Sequence, residues 1–388
     1  MGLVSLPIVI VAVGFGCQLL RWAGAETKAV AERWSLGAAI GLGVYAYAIQ
    51  ALGLAGGLAP AAIVGLTAAM AIAGAPATAS LLRDSVVAIR KGILAPWTPD
   101  RLLAIGFAGM AVAIAGMTLG GALGPFTELD YDSLAYHLAV PRLYLLHQRI
   151  FYVDHLWHAN IPFTCQMWYV AGLALDGPGA AKLFHWSAGW LTAVGAAAWV
   201  ARGKGMPCWA PAMAALVFLA IPLGAWEATT AYIDLGTALY LTAALVAFDR
   251  AREQGFSPRW LAVTGALAGW AAGTKYPALV QLALLGAGVG IAALVRRERA
   301  AVRGVVAFAL AASVIAAPWF VRNFLWTGNP VYPFYARLFP RTRNWNEAAT
   351  VAIERDQRGF GRGTDAVAAA RLLWDTAFHG REYFLAHR

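Results

Sequence analysis

The sequence predicts an all-α polytopic membrane protein with about ten transmembrane helices and a large first outer loop that carries interfacial helices. Three observations predict this class: 60% of the 388 residues are hydrophobic, 13% are charged, and mean hydropathy is +0.61. Soluble domains carry roughly 25% charged residues, so this chain has too few charges to cover a water-facing surface. The composition excludes an ordinary soluble enzyme, a disordered chain and a disulfide scaffold.

Ten apolar stretches approach the roughly 17–25 residues with which a helix crosses the hydrocarbon core. The first has neither a basic leading region nor a cleavage site of small residues, so we interpret it as a helix and not as a signal peptide. The predicted spans are 3–20, 35–56, 58–77, 102–124, 183–201, 209–226, 234–249, 260–274, 277–295 and 304–320. The stretches 234–249 and 260–274 are the shortest of the ten.

One further apolar stretch, 162–175, is ambiguous, and the distribution of basic residues decides its placement. If it does not span, sixteen of the thirty Lys and Arg fall on one side, in loops 21–34, 78–101, 202–208, 249–259 and 296–303. If it spans, the last three of these loops move to the opposite side and the positive-inside rule is broken. We therefore predict that 162–175 lies in the membrane interface or re-enters, where Met167, Trp168 and Tyr169 suit a membrane surface.

The formal net charge of +10 follows mainly from this topology, so it does not indicate nucleic-acid binding. Both the amino terminus and the polar tail 321–388 are predicted to lie outside. We predict three regions: an appended block of helices over 1–101, a membrane core over 102–320 that includes the outer loop 125–182, and the tail.

Unusual polar residues collect on the predicted outer side, whereas the interiors of the ten spans contain no Asp, Glu, Lys or Arg. Ion-coupled transporters commonly place ionisable groups near the midplane, so this distribution favours chemistry at the membrane surface. The candidate residues are Asp130, Asp132, Tyr136, His137, Arg142, Asn160, Glu227, Asp234, Lys275, Tyr276, Arg322 and Asn323.

The acidic string Glu128, Asp130 and Asp132 directly follows a predicted span and has two interpretations. It is either a solvated acidic loop, or a site in which a carboxylate is a general base or holds Mg²⁺ or Mn²⁺. If a helix starts near Asp130, Asp132 and Tyr136 lie one turn apart on the same face. The nearby histidines show no zinc spacing such as HExxH, so interfacial or hydrogen-bonding roles are favoured for them.

Lys275 and Arg322 each follow a predicted span. Each is either an anchor whose charged end reaches the interface, or a ligand for a lipid-linked phosphate at that depth.

Five segments carry a resemblance to a known family: YDSLAYHLAVPRLYLLHQRI (131–150), HANIPFTCQMWYVAGLAL (158–175), WEATTAYIDLG (226–236), AAGTKYPAL (271–279) and PWFVRNFLWTGNPVYPF (318–334). In order and placement they resemble the bacterial GT-C glycosyltransferases, polytopic enzymes that use polyprenyl-phosphate sugars, and within them the protein-mannosyltransferase-like membrane proteins. The resemblance runs from about residue 120 to the end of the chain.

The resemblance implies a GT-C fold whose first outer loop carries the catalytic acid, with Asp132 as the best candidate and Asp130 second. It makes Lys275 and Arg322 candidates for the donor phosphate, and it implies inverting transfer in the bacterial inner membrane with the site facing the periplasm. A divalent metal is left open, as are the donor sugar and the acceptor. Relatives usually continue with further spans, so the chain is expected to be a truncated form.

Two rival hypotheses stay open at this point. A lipid or polysaccharide transporter would need a polar cavity at mid-membrane, which the span interiors do not supply. An inactive assembly subunit is favoured if the chain is truncated.

Overall fold

The computed structural model describes residues 2–296, 299–335, 338–339, 344, 347–359 and 365–379, and all regular structure within these ranges is helical. The chain forms two compact units, Met1–Phe151 with Pro162–Trp319, and Tyr152–Ile161 with Phe320–Arg388. The helices are α1 Ser5–Trp22, α2 Val30–Leu54, α3 Pro60–Leu94, α4 Pro99–Leu123, α5 Ala139–Leu146, α6 Thr164–Leu175, α7 Gly179–Val200, α8 Ala210–Leu219, α9 Pro222–Glu227, α10 Asp234–Glu253, α11 Pro258–Ala272, α12 Ala278–Arg296, α13 Arg299–Thr327, α14 Glu347–Gly359 and α15 Ala366–Phe378.

Six of these helices are long and apolar enough to cross a membrane, namely α1, α2, α3, α4, α12 and the Ala301–Thr327 part of α13. This is the pattern of an integral membrane protein. The remaining predicted spans form shorter or more polar helices. The 15 residues of α11 extend only about 22 Å, and α10 carries acidic and basic residues at its ends. The count of about ten spans stays a prediction.

The predicted span 209–226 consists of two helices. Pro222 lacks a backbone N–H and disfavours helical geometry at the preceding residue, so α8 ends at Leu219 and α9 begins at Pro222. Conversely, α3 runs 35 residues, well past the predicted end at residue 77. Its second half carries Arg83 and Asp84, which the sequence had placed in a loop.

Helices α1 and α2 pack at very short range because glycines line their contact. A side-chain carbon added at Gly41 would lie 1.8 Å from the carbonyl oxygen of Ala12, and one at Gly16 would lie 2.0 Å from that of Gly37. Gly37 and Gly41 are four residues apart, the small-residue spacing that lets membrane helices approach closely. This packing holds α2 at the centre of the first unit.

Helix α6 has 12 residues and a length of about 18 Å, which is shorter than a typical spanning helix. The non-spanning placement of 162–175 stays a prediction. Its expected position at a membrane surface is wrong for the side chains, since Met167, Trp168 and Tyr169 are all fully buried within the protein. The indole Nε1 of Trp168 donates a hydrogen bond to the carbonyl oxygen of Leu42 in α2 at 2.9 Å. Helix α6 is therefore an internal helix of the first unit.

The ends of α2, α7 and α10 meet in a group of ion pairs that we call the Glu32 cluster, made of Glu32, Arg202, Asp249, Arg250 and Glu253. Glu32 is 1% exposed and lies 2.9 Å from Arg202 and 2.7 Å from Arg250. Arg202 also lies 2.6 Å from Glu253 and 3.4 Å from Asp249. Two predicted basic loops thus converge with the start of α2, as the charge distribution requires.

Tyr152 joins two segments of the second unit. The Tyr152 hydroxyl donates to the carbonyl oxygen of Asn344 at 2.6 Å, and the rings of Tyr152 and Trp326 meet edge to face with centroids 6.1 Å apart. A short 3₁₀ turn, Trp157–Asn160, completes the loop segment. The predicted boundaries at residues 101 and 320 stay predictions.

Candidate functional site

Asp132 lies between α4 and α5, directly before a π-helical segment, Ser133–His137. In this segment the Leu138 N–H donates to the carbonyl oxygen of Ser133 at 2.9 Å. The Tyr136 hydroxyl donates to Oδ2 of Asp132 at 2.7 Å, which confirms that the two side chains lie one turn apart. π-helical segments are rare and occur frequently at functional sites.

The turn between α9 and α10 packs directly against this segment. The Ala231 N–H donates to the Ser133 hydroxyl at 3.0 Å, and the Asp132 N–H donates to the Tyr232 hydroxyl at 3.4 Å. The Tyr169 hydroxyl of α6 donates to the carbonyl oxygen of Tyr232. These bonds bring two segments a hundred residues apart into one site.

His185, a buried residue of α7, fixes the same turn. Its Nδ1 lies 3.0 Å from the carbonyl oxygen of Glu227 and 3.2 Å from that of Thr230, while its Nε2 accepts the Leu235 N–H at 3.0 Å. Carbonyl oxygens only accept and a backbone N–H only donates, so the imidazole is neutral with its proton on Nδ1. His185 therefore positions the turn that carries Glu227 and Asp234.

Glu227 is the most unusual acid of the site. It is 8% exposed, and its Oε2 has no hydrogen-bond partner within the described part of the chain. Burial, reinforced by the negative charges of Asp234 and Asp132 and opposed by Lys275, raises the pKa of Glu227 to about 8. The side chain therefore holds a proton at neutral pH and can donate a hydrogen bond.

Lys275 closes the site from the turn after α11. Its Nζ lies 2.7 Å from Oδ1 of Asp234, and the two side chains are 42% and 40% exposed. We call Asp132, Tyr136, Glu227, Asp234 and Lys275 the acid–lysine cluster. Burial and the neighbouring Asp132 carboxylate raise the pKa of Tyr136, so its hydroxyl stays protonated.

The Lys275 turn is held by the start of α6. The backbone N–H and the hydroxyl of Thr164 both donate to the carbonyl oxygen of Gly273, at 3.1 and 2.6 Å. The indole Nε1 of Trp319 donates to the Thr164 hydroxyl at 2.8 Å. A side chain at Gly273 would come within 2.9 Å of Trp319, so only glycine permits this approach.

Asp130, the second predicted catalytic acid, is engaged elsewhere. It is 5% exposed, and its Oδ2 accepts the Thr127 N–H at 2.7 Å and lies 3.7 Å from Nζ of Lys182. Lys182 also donates to the carbonyl oxygen of Pro125 at 3.0 Å and lies over the ring of Phe126. Asp130 fastens the loop to the start of α7, so Asp132 is the better placed of the two acids.

Three further residues that the sequence predicted for the site are not members of the acid–lysine cluster. His137 is buried, and the Gln166 amide donates to its Nδ1 at 2.9 Å. Tyr276 is half-buried beside Lys275, and Arg142 is exposed on α5.

Arg322, Asn323 and Asn160 belong to the second unit. The Arg322 guanidinium is 4% exposed, donates to the carbonyl oxygen of Ile161 at 2.6 Å and to the Asn323 side chain at 2.8 Å, and lies over the ring of Trp326. The Asn160 amide donates to the carbonyl oxygen of Val153 at 3.0 Å.

Sequence reasoning did not single out Lys182, His185, Gln166 or Ser133. The only signal for Lys182 was a lysine at the start of an apolar span on the same predicted side as the acidic string. His185 and Gln166 lie inside apolar segments, where a sequence does not distinguish a positioning role from ordinary packing.

The residues do not form a recognisable metal centre. Within the described ranges, no group of three or more His, Cys, Asp or Glu side chains is arranged to hold a metal ion. The described residues therefore offer no ligand set for the divalent metal that the sequence left open.

Comparison with known proteins gives no match to a family model, a curated protein or a solved structure.

Proposed function

We propose that this chain is a membrane glycosyltransferase of GT-C type that moves a sugar from a polyprenyl-phosphate donor to an acceptor hydroxyl, at the membrane face that carries the acid–lysine cluster. The observation that carries the proposal is the Asp132–Tyr136 pair with the buried, protonated carboxyl of Glu227 within electrostatic reach. Glu227 is buried and Asp132 is half-buried, and titratable groups in different environments are the pattern that assigns acid and base roles.

Asp132 is the proposed general base. Its Oδ2 accepts the Tyr136 hydroxyl, which orients the carboxylate, and no hydrogen bond to its Oδ1 is formed by the described residues. Asp132 is half-buried, so this oxygen is accessible to an incoming hydroxyl. A base must lie within hydrogen-bond reach of the proton that it removes, and Oδ1 meets that requirement for an acceptor bound at this face.

Lys275 is the proposed partner of the donor phosphate. An ammonium group has three donors, and one of them is used by Asp234. The Lys275 side chain is 42% exposed, so a phosphate can share the lysine with Asp234. A charge-assisted hydrogen bond of this kind stabilises a developing phosphate charge.

The proposed reaction balances without a further reactant. Asp132 takes the proton of the acceptor hydroxyl, and the acceptor oxygen bonds to the anomeric carbon. The bond between that carbon and the phosphate oxygen breaks, and polyprenyl phosphate leaves with the electron pair. Glu227 holds a sugar hydroxyl through its proton.

The distribution of charge weighs against the transporter hypothesis. The central turns of α1, α2, α4, α7, α10, α11 and α12 carry no Asp, Glu, Lys or Arg. Ion-coupled transporters commonly use such residues near the bilayer midplane.

The test is turnover of radiolabelled polyprenyl-phosphate hexoses by the purified protein in lipid nanodiscs, with membrane extract as the acceptor source. We expect Asp132→Asn to lower the rate about 10²–10⁴-fold, the contribution of a positioned general base. Glu128→Gln is the matched control, because Glu128 is an exposed acid of the same loop, and it should retain the wild-type rate. Equal rates for Asp132→Asn and the wild type refute the assignment of the base.

A further inference from the structure

A groove of about 460 Å³ opens in the first unit between α1, α2, α11 and α13. This volume falls within the roughly 300–1,000 Å³ typical of ligand pockets. The lining is apolar except for one charged side chain, Arg259. Its members are Leu19, Leu20, Ala23, Ile40, Arg259, Ala262, Val263, Ala266, Trp270, Ala311, Val314 and Ile315.

The groove follows one face of α11. Arg259, Ala262, Val263, Ala266 and Trp270 all line it, and their spacing places them in a single stripe along the helix. From Arg259 to Trp270 the helix rises about 16 Å. Half of a hydrocarbon core about 30 Å thick is close to this length, so the groove has the depth of one leaflet.

Arg259 stands at the end of this stripe, in the first turn of α11. It is exposed, lies against Gly24 after α1, and is paired with no carboxylate of the described residues. Glu26, an acid close to Gly24 in sequence, is paired with Arg21 at 2.9 Å. The guanidinium is therefore available to an anion at the mouth of an apolar groove.

We propose that this groove binds one acyl chain of an anionic phospholipid, with the lipid phosphate at Arg259. An apolar channel one leaflet deep fits the chain, and a planar guanidinium fits the phosphate. Arg259 lies in the first turn of α11 and Lys275 follows the end of that helix, so this lipid site lies at the opposite end of the helix from the acid–lysine cluster. The proposal is thus independent of the donor lipid in the proposed function.

The test is native mass spectrometry of the purified full chain in detergent, titrated with dioleoyl phosphatidylglycerol or dioleoyl phosphatidylcholine. We expect the wild type to retain one phosphatidylglycerol molecule at a lower lipid concentration than phosphatidylcholine. Arg259→Gln should weaken phosphatidylglycerol retention about fivefold, because one basic residue near an anionic headgroup contributes on this scale. It should weaken phosphatidylcholine retention less, because the choline of that lipid neutralises its phosphate. Ala266→Phe fills the groove and should weaken retention of both lipids.

Arg90→Gln is the matched control, since Arg90 is an exposed arginine of α3 that does not line the groove. It should leave both retentions unchanged. The proposal is overturned if Arg259→Gln retains phosphatidylglycerol like the wild type, or if Arg90→Gln weakens it equally. Because Arg259 is exposed, Arg259→Gln should fold, and its result decides the proposal even if Ala266→Phe fails to fold.

Discussion

The two ends of α10 belong to two charged clusters of the first unit, and the clusters differ in how their acids are paired with basic residues. Asp234 begins α10 in the acid–lysine cluster, and Arg250, about 24 Å further along the helix, belongs to the Glu32 cluster. In the Glu32 cluster each of the three acids contacts at least two arginines, with Asp249 also 3.0 Å from Arg252. The acid–lysine cluster has one lysine for three carboxyl groups: Lys275 pairs with Asp234, and one carboxyl oxygen of Glu227 has no partner within the described chain.

The difference in pairing separates two uses of the same residue types. A fully paired buried acid fastens helices together, because removing either partner leaves an uncompensated charge. A buried acid without its own cation has a raised pKa. This lowers the stability of the fold and suits an acid that takes part in catalysis. We therefore expect substitutions at the Glu32 cluster to change stability and substitutions at the acid–lysine cluster to change activity.

The largest stability effect is expected for Glu32→Gln. The substitution leaves Arg202 and Arg250 without their shared buried partner, and breaking such a pair costs about 3–5 kcal/mol of unfolding free energy. Unfolding temperature in detergent, followed by circular dichroism, measures the loss. A variant as stable as the wild type would show that this cluster does not fasten the helices.

Glu227→Gln should change the pH dependence of stability. Because the native pKa of Glu227 is about 8 and its ordinary value is 4.5, the native state keeps a proton that the unfolded chain releases between these values. Wild-type stability should therefore fall as pH rises through this window. Glu227→Gln should remove that fall and be about 1–3 kcal/mol more stable than the wild type at pH 9.

Unfolding temperatures at pH 5, 7 and 9 for both proteins measure this difference. The control is Glu253→Gln, which removes an acid that is half-exposed and paired. Parallel pH profiles for Glu227→Gln and the wild type would show that Glu227 is ionised in the native state, contrary to the proposed role.

Lys275→Gln should act on donor binding more than on stability. The pair with Asp234 is about two-fifths exposed, so its loss should cost less than about 1 kcal/mol. If Lys275 binds the donor phosphate, the KM for a polyprenyl-phosphate sugar should rise about tenfold, as expected for loss of a charge-assisted hydrogen bond. An unchanged KM would assign Lys275 to the ion pair alone.

The smallest effect is expected for Glu253→Gln, at the exposed edge of the Glu32 cluster. Its side chain is 50% exposed, and surface pairs contribute about 0–1 kcal/mol. Unfolding temperature should shift far less than for Glu32→Gln. Equal shifts would mean that the burial of Glu32 does not increase the contribution of its ion pairs to stability.

Hydropathy and composition predicted the helical membrane class, because they depend on sums over many residues. The Asp132–Tyr136 contact was predicted because it depends only on helical spacing. The burial of Glu227 and the clamp by His185 depend on helices distant in sequence, so local patterns do not reveal them. The break at Pro222 was missed because the apolar run continues through it.

The most direct test measures unfolding temperature and donor turnover together on the same nanodisc preparations of Asp132→Asn and Glu32→Gln. The account predicts that Asp132→Asn unfolds within a few degrees of the wild type while its turnover falls about 10²–10⁴-fold. It predicts that Glu32→Gln unfolds at a clearly lower temperature while its folded fraction keeps wild-type turnover. Loss of stability in Asp132→Asn with unchanged turnover per folded molecule would contradict the account.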